Sequence, residues 1–354
     1  MSVGTVAAVT LTRTEQPLEL DLRHLLHLSD DVGLLEHALG PIARVEHGYC
    51  VDDAARAVLL LCREPHPSTH VTRLAGQHTV FLIRAQGPGG GFHNRLGYDG
   101  EWQDEPGTGD WWGRALWGLG TAAARGPDWI RDAALSSFSR GAHLRPVHVR
   151  AKVFAALGAA QVLIARPEHR AARELLADAA AAIGPDGPGG PDGGWPWPQE
   201  RLHYANAALP EVLISAGHLL RDDAMKKRGL RLLDWLMAGE SAEGHLSPTP
   251  VDGRSPGDER PGFDQQPIEV AALADACASA FAVTGDPRWA RGIQLAAAWF
   301  DGDNDLHVPM RDPATGGGYD GLTPTGPNRN QGAESTLALL STVQQHRLLQ
   351  MEMP

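Results

Sequence analysis

The sequence predicts an all-α fold, an (α/α)6 barrel in which six inner helices are enclosed by six outer ones. The first observation behind this prediction is that segments apolar on nearly all sides alternate strictly with charged, amphipathic segments along the 354 residues. Helices of the first kind are buried, and helices of the second kind cover them. The second observation is that long connections lead mostly into the apolar segments, so the long loops should share one end of the molecule.

The predicted inner helices are rich in alanine, and such small side chains allow neighbouring helices to pack closely. They cover residues 52–62, 111–124, 149–165, 204–220, 267–283 and 333–345. The predicted outer helices cover residues 20–39, 70–86, 128–142, 168–183, 222–238 and 287–300. The alternative is an open α-solenoid, whose repeats resemble one another more closely and whose loops are more uniform.

The chain is expected to form one domain, because its glycine- and proline-rich stretches recur at the repeat period and do not mark a single linker. The barrel is assigned to residues 20–350, after an N-terminal extension at residues 1–19. Three loops carry Asp-Gly or Gly-Gly turn signals and are expected to contain short strands or hairpins. These loops are residues 89–102, 192–204 and 305–322.

Charge and composition exclude several classes of function. The chain has 31 Lys and Arg against 43 Asp and Glu, and this net charge of −12 argues against binding to nucleic acid or an anionic membrane. The longest apolar runs are expected to be too short for a membrane span, and the N-terminus lacks a signal peptide's basic start. Three cysteines without metal-ligand spacing favour a reducing compartment and a cytoplasmic location.

No cofactor or metal is predicted, because the sequence has neither a phosphate-binding loop nor a zinc-ligand set. Carboxylates at a barrel mouth could nevertheless hold calcium through oxygen ligands.

If the inner helices run parallel, their first turns meet at one mouth. The residues there are carboxylates, indole rings, histidines, arginines and amides, which suit a sugar because hydroxyls take polar contacts and C–H faces stack on aromatic rings. The predicted substrate-binding residues are His47, Tyr49, Asp52, Arg56, Trp111, Trp112, Arg114, His148, Lys152, His203, Tyr204, Gln265, Gln266 and Asn330.

Four carboxylates are candidates for catalysis: Asp53, Asp110, Glu269 and Glu334. Aspartates at helix starts also serve as caps, and this alternative applies to Asp53 and Asp110 as well as Asp52. The two glutamates lie inside apolar segments, where a carboxylate is rare without a partner. The leading hypothesis is glycoside hydrolysis by one protonated and one ionised carboxyl group, with inversion favoured by a wide mouth.

Three alternatives remain open. A sugar epimerase or isomerase would use His148 or His203 for proton transfer. A polysaccharide lyase would be expected to have a more basic mouth. A barrel without catalytic activity would bind carbohydrate and release no product.

Three motifs carry a resemblance to a known group: HGYCVDDAARA at 47–57, TGDWWGRALWGLG at 108–120 and NQGAESTLALL at 330–340. With these motifs the chain resembles the six-hairpin glycosidase superfamily, and more closely a group of bacterial glycosidase-related barrels that occur alone or after a glycosyltransferase domain. The resemblance implies an oligosaccharide or glycoconjugate substrate, an acid at Asp110 and a functional association with a glycosyltransferase. The chain has no nucleotide-binding unit, so glycosyltransferase activity of its own is not expected.

Overall fold

A computed structural model describes residues 20–187, 190 and 194–352 of the chain. Within these ranges there are twelve α-helices, as predicted. The inner helices are α2 (Val51–Arg63), α4 (Asp110–Arg125), α6 (Val149–Ala165), α8 (Ala208–Leu219), α10 (Pro267–Thr284) and α12 (Ala333–Glu352). The outer helices are α1 (Arg23–Leu28), α3 (Thr69–Ala85), α5 (Asp128–Gly141), α7 (Arg170–Ala182), α9 (Asp223–Gly239) and α11 (Pro287–Phe300).

The six inner helices form a closed ring. Each packs against the next in chain order, and α12 packs back against α2. Every outer helix contacts an inner one, and α1 covers α12, so the first and last helices of the chain form one pair. A single cluster of buried apolar side chains joins the two layers. The (α/α)6 barrel is therefore confirmed, and the open solenoid is excluded.

The first outer helix is much shorter than the predicted span of 20–39, because α1 ends at Leu28. The carboxylate of Asp30 accepts hydrogen bonds from the backbone N–H groups of Val32 and Gly33, which turns the chain away from the helix. The residues beyond this turn form the hairpin β1 (Ala38–Leu39) and β2 (Ile42–Ala43). The prediction of a helix from the charged pattern was therefore wrong for the residues after Leu28.

Short strands occur in the loops that enter the inner helices. Strand β3 (Tyr49–Cys50) pairs with β4 (Arg95–Leu96), which places the loop before α4 beside the first turn of α2. The other two hairpins are β5 (Ser241–Ala242) with β6 (His245–Leu246), and β7 (Gly321–Thr323) with β8 (Gly326–Asn328).

Two of the three loops in which strands were expected contain them. In the third, residues 192 and 193 lie outside the described residues, and Leu202 makes an isolated bridge to Arg254. The predicted N-terminal extension, residues 1–19, also lies outside the described residues.

By length and composition alone, α10 could cross a bilayer, since its 18 residues have a mean hydropathy of 1.4. It is the one helix in the described part of the chain with this property. In the barrel it packs between α8 and α12, and 61% of it is buried. A helix buried on most sides has the same composition.

Glycines allow α4 and α6 to approach closely. A Cβ atom on Gly158 would lie 2.2 Å from the carbonyl oxygen of Leu116, and one on Gly120 would lie 2.4 Å from that of Gly158. We expect Gly158→Ala to lower the free energy of unfolding by about 1–3 kcal/mol, because the two backbones must separate. Chemical denaturation would measure this loss.

The matched control is Gly89→Ala, since a Cβ there meets no atom within 4 Å. Alanine is the better helix former by about 1 kcal/mol, so a neutral or stabilised Gly158→Ala protein would contradict the packing argument.

Candidate active site

A cavity of about 370 Å³ opens at the mouth of the barrel, where α2, α10 and α12 begin. We call it the mouth cavity. Its lining is strongly polar and contains the amide of Gln266, a predicted binding residue, and the guanidinium groups of Arg56 and Arg95. Six carboxylates also line it: Glu36, Asp52, Asp53, Asp264, Asp320 and Glu334.

Arg56 connects three of these carboxylates. Its Nη1 donates to Oδ1 of Asp53 at 2.6 Å, and its Nη2 donates to Oε2 of Glu334 at 2.7 Å. The carboxylate of Asp52 lies 3.7 Å from Nη2. The spacing of Asp52, Asp53 and Arg56 by three and four residues places them together on one side of α2. Glu334 reaches the same guanidinium from the last inner helix, so the site forms only in the closed ring.

The aspartates on α2 and α4 do not act as helix caps. The residues at the cap positions are Cys50 and Gly109, and neither helix has a hydrogen bond from a capping side chain. By contrast, four outer helices are capped by side chains, as at Ser68 of α3 and Asp222 of α9. These aspartates therefore make no capping hydrogen bond, although all three lie in a first turn, where a negative charge complements the helix dipole.

Asp53 and Glu334 have different surroundings although they share Arg56. Asp53 is 3% exposed, and burial raises the pKa of its carboxyl group to about 7, against the opposing effect of Arg56. The charges of Glu334 and Asp52 raise it further. The side chain of Glu334 is 42% exposed. One carboxyl group can therefore carry a proton near neutral pH beside another that is open to solvent.

Asp110 lies beside this cluster, at the start of α4. Burial raises the pKa of its carboxyl group, and the charge of Asp52 raises it further, whereas Arg114 and Arg150 oppose the shift. Asp110 does not line the mouth cavity in the described part of the structure.

Glu269 is held by a turn. Its Oε1 accepts a hydrogen bond from the backbone N–H of Ala205, and its Oε2 accepts from the backbone N–H and the side-chain amide of Asn206 at 3.2 and 3.1 Å. These contacts explain why α8 begins at Ala208, later than the predicted residue 204. The structure does not bring Glu269 into the lining of the mouth cavity, and burial raises the pKa of its carboxyl group to about 8. Its contacts indicate a structural role at this turn, and its catalytic role stays a prediction.

We expect Glu269→Ala to lower the free energy of unfolding by about 1–3 kcal/mol, because it leaves buried N–H groups without acceptors. Glu269→Gln should lose less, since its amide oxygen still accepts from the turn. Thermal and chemical denaturation of both proteins would measure the difference. Equal stability of Glu269→Ala and the unchanged protein would contradict the structural role.

Three predicted binding residues are corrected, because they are buried. Tyr49 is 1% exposed, and its hydroxyl donates to Asp30 at 2.6 Å. Trp112 is fully buried. Gln265 is also fully buried, and its amide donates to Asp305 at 2.5 Å. None of the three can offer a face or a hydrogen bond to a sugar without rearrangement of the packing around it.

The other aromatic and histidine candidates lie around the mouth. Trp111 is half-buried, and its indole N–H donates to the carbonyl of Phe92 at 2.7 Å. His47 packs edge-on against His37, with ring centroids 4.8 Å apart. His148 and His203 are exposed and lie outside the lining of the mouth cavity in the described ranges.

Four further candidates, Tyr204, Arg114, Asn330 and Lys152, lie in the wall of the barrel or in its loops. Arg150 lies over the ring of Tyr204, with 5.6 Å between its Cζ and the ring centroid. Arg114 lies below the mouth cavity, in a smaller cavity that Arg56 and Glu334 also line. Asn330 accepts a hydrogen bond from the backbone N–H of Gly40 at 3.0 Å, and Lys152 is half-buried on α6.

Glu36, Arg95 and Asp320 are cavity residues that the sequence analysis missed. Arg95 forms an ion pair with Glu36, and Asp320 accepts hydrogen bonds from the backbone N–H of Gly332 at 2.9 Å and the hydroxyl of Ser335 at 2.7 Å. Glu36 lies in the segment that the charged pattern predicted as helix, whereas Arg95 and Asp320 lie in the loops before α4 and α12. The Asp-Gly turn signal at Asp320 was the only indication in the sequence that this segment folds back.

Glu36, Cys50 and Asp53 could together hold a metal ion, because their ligand atoms all lie within 4.8 Å of one another. Both carboxylates already bind a guanidinium group, Arg95 in one case and Arg56 in the other. A metal ion would have to displace these two cations.

No protein-family model matches the sequence, and no curated protein matches it. Solved structures do match over nearly the whole chain. A sugar epimerase from a ruminal bacterium superposes with a TM-score of 0.71 at 11% identity, covering 94% of this chain and 96% of that one. Cellobiose 2-epimerase from Spirochaeta thermophila gives a TM-score of 0.69 at 13% identity, covering 96% of each chain.

A third match is an α-1,6-mannanase of the GH76 type from Salegentibacter, as an inactive variant with two consecutive aspartates replaced, in complex with α-1,6-mannotetrose. It gives a TM-score of 0.63 at 10% identity, covering 92% of this chain and 96% of that one. At these identities the similarity shows the fold, which is the fold that the resemblance implied. The narrower bacterial group stays a prediction.

Proposed function

We propose that the chain is a glycoside hydrolase that cleaves an oligosaccharide with Asp53 as general acid and Glu334 as general base. The observation that carries the proposal is the pair itself: a buried carboxyl group with a raised pKa and a solvent-open carboxylate, both bonded to Arg56 in one cavity. Such a difference in environment is how paired carboxyl groups divide acid and base roles.

In the proposed reaction Asp53 gives its proton to the glycosidic oxygen as the bond from this oxygen to the anomeric carbon breaks. Glu334 removes a proton from the water molecule that attacks the anomeric carbon. Because the guanidinium group of Arg56 lies between the two carboxyl groups, they cannot approach each other directly. This separation supports inversion, which needs room for a water molecule.

Two features of the solved neighbours support a carbohydrate substrate. The neighbours are named for reactions on sugars, and one of them holds α-1,6-mannotetrose. That mannanase is inactive when two consecutive aspartates are replaced. Asp52 and Asp53 are likewise consecutive and lie at the mouth.

A sugar epimerase is the second candidate, because two of the neighbours are named epimerases and His37 lines the mouth cavity. The exposed positions of His148 and His203 favour the hydrolase over an epimerase that depends on these histidines. An epimerase would exchange a carbon-bound hydrogen with solvent and would leave the glycosidic bond intact.

Mass spectrometry with isotopically labelled water distinguishes the candidates. The purified protein would be incubated with α-1,6-mannotetrose, cellobiose and a panel of neutral and acidic oligosaccharides in H₂¹⁸O, and separately in D₂O. Shorter products carrying ¹⁸O above a blank without enzyme are expected for hydrolysis. Deuterium uptake without cleavage would contradict the proposal and favour the epimerase, and binding without any product would favour a non-catalytic barrel.

A further inference from the structure

Arg114 is a buried cation whose guanidinium group has no hydrogen-bond acceptor among the described residues. The residue is 6% exposed, and its side chain forms no hydrogen bond or ion pair with any residue that the structure describes. Its Nε and Nη2 atoms are both shielded from solvent. A guanidinium group removed from water is strongly unfavourable unless hydrogen-bond acceptors or an opposite charge replace the lost hydration.

The surroundings fix the position of this guanidinium. Its Cζ atom lies 3.7 Å from the ring centroid of Phe154 and 5.7 Å from that of Trp117. These rings cover the faces of the guanidinium group, so its edge, which carries the N–H groups, is the part that can bind a ligand. Phe154, Trp117 and Arg114 line one cavity of about 50 Å³, which we call the floor cavity.

The floor cavity connects to the proposed catalytic pair. Arg56 and Glu334 line both the floor cavity and the mouth cavity, so the two cavities are adjacent. The guanidinium groups of Arg56 and Arg114 thus line the floor cavity together with three carboxyl groups, those of Glu211, Asp275 and Glu334. Asp275 is paired with Arg63, and Glu211, whose pKa is raised by burial to about 8, accepts a hydrogen bond from Ser279. Burial lowers the pKa of Arg114 to about 10, and the charge of Arg56 contributes to this shift, whereas the charges of Asp52, Glu334 and Asp110 oppose it.

The two arginines that line the mouth cavity already have carboxylate partners. Arg56 binds Asp53 and Glu334, and Arg95 binds Glu36. Arg114, in the floor cavity, has no such partner among the described residues. The Arg114 guanidinium group therefore lacks a hydrogen-bond acceptor, and the carboxylate of a ligand would supply one together with the opposite charge.

We infer that the floor cavity is a subsite for the carboxylate of an acidic sugar, which Arg114 binds. The inference rests on the proposed function and adds to it the substrate class, a uronic acid residue. A carboxylate is favoured over a larger anion because it is planar, matches the fork of a guanidinium group and fits a cavity of about 50 Å³.

Binding measurements test the inference without requiring turnover. Isothermal titration calorimetry would compare glucuronate, galacturonate and mannuronate with glucose, galactose and mannose, and with glucose 6-sulfate and glucose 6-phosphate. We expect at least one uronate to bind tenfold or more tightly than its neutral counterpart. Arg114→Gln should abolish this preference, and Arg114→Lys should retain part of it, because lysine keeps the charge and loses the fork.

The matched control is Arg228→Gln, which removes an arginine of α9 that pairs with Asp186 away from both cavities. It should retain the preference for the uronate. Equal binding of acidic and neutral sugars, binding of none of the uronates, or stronger binding of the sulfate or phosphate would each overturn the inference. If Arg114→Gln does not fold, the preference of the unchanged protein and of Arg114→Lys still decides the question.

The outcomes for the two proposals can be separated. Hydrolysis of acidic as well as neutral oligosaccharides at a rate that Arg114→Gln leaves unchanged would overturn the carboxylate subsite and leave the hydrolase proposal in place. Selective binding of a uronate without release of any hydrolysis product would support the subsite and contradict the hydrolase.

Discussion

Asp53→Asn and Glu334→Gln are each expected to lower kcat/KM by about 10²–10⁴-fold on whichever oligosaccharide the protein cleaves, since general acid and base catalysis contribute this much. Asparagine cannot supply the proton that the glycosidic oxygen needs. Glutamine cannot remove a proton from the attacking water. Both amides retain an oxygen that can accept the hydrogen bond from Arg56, so the fold should remain.

The pH dependence adds a second measurement. Because Asp53 must be protonated to act as the acid and its pKa is about 7, kcat/KM should fall as the pH rises above this value. Asp53→Asn should remove this fall from whatever activity remains. Circular dichroism and thermal unfolding would verify that the variants are folded.

Glu46→Gln is the matched control, because Glu46 is an exposed carboxylate that pairs with Arg44 in the loop before α2. It should leave kcat/KM unchanged. Full activity of both Asp53→Asn and Glu334→Gln would reject the assignment of this pair.

Arg56→Met is expected to lower the free energy of unfolding by about 3–5 kcal/mol, because it leaves a carboxyl group that is 3% exposed without its cation. The loss should depend on pH. A carboxyl group whose pKa is raised in the folded state favours folding at low pH, and this contribution disappears as the pH rises through the folded pKa of about 7. Without Arg56 that pKa rises further, so the destabilisation should be greater near pH 9 than near pH 5.

A double-mutant cycle tests the cause. Adding Asp53→Asn to Arg56→Met removes the unpaired charge and should recover part of the lost stability. Chemical denaturation of the four proteins near pH 5 and pH 9 would measure the coupling. Independent, additive losses at both pH values would show that Arg56 contributes through packing alone.

The helices of the barrel could be predicted from the sequence, because the period of the apolar residues directly reports which side of a helix is buried. The grouping of Asp52, Asp53 and Arg56 could also be predicted from the sequence, since their spacing defines one helix face. Their contact with Glu334 could not be predicted, because it depends on closure of the ring, which joins residues that are 278 positions apart.

The errors have physical causes as well. An aromatic residue at the mouth end of a helix can face the opening or the packing between helices, and Tyr49 and Trp112 face the packing. Residue type does not decide between the two. Glu36 and Arg95 reach the cavity through strand and bridge contacts of two loops, and such pairing leaves little trace in a local pattern.

The pairing of the first and last helices has a consequence for how the protein folds. The contact from His24 to the backbone of Gln331 spans 307 positions, and contacts of such long range form slowly because the intervening chain must first lose much of its freedom. The hydrogen bond between Arg56 and Glu334 likewise joins the beginning of the chain to its last helix. A chain still emerging from the ribosome lacks α12 and with it Glu334, so the proposed catalytic pair forms only after the last inner helix is made. Recovery of activity on refolding should therefore report the final step of assembly.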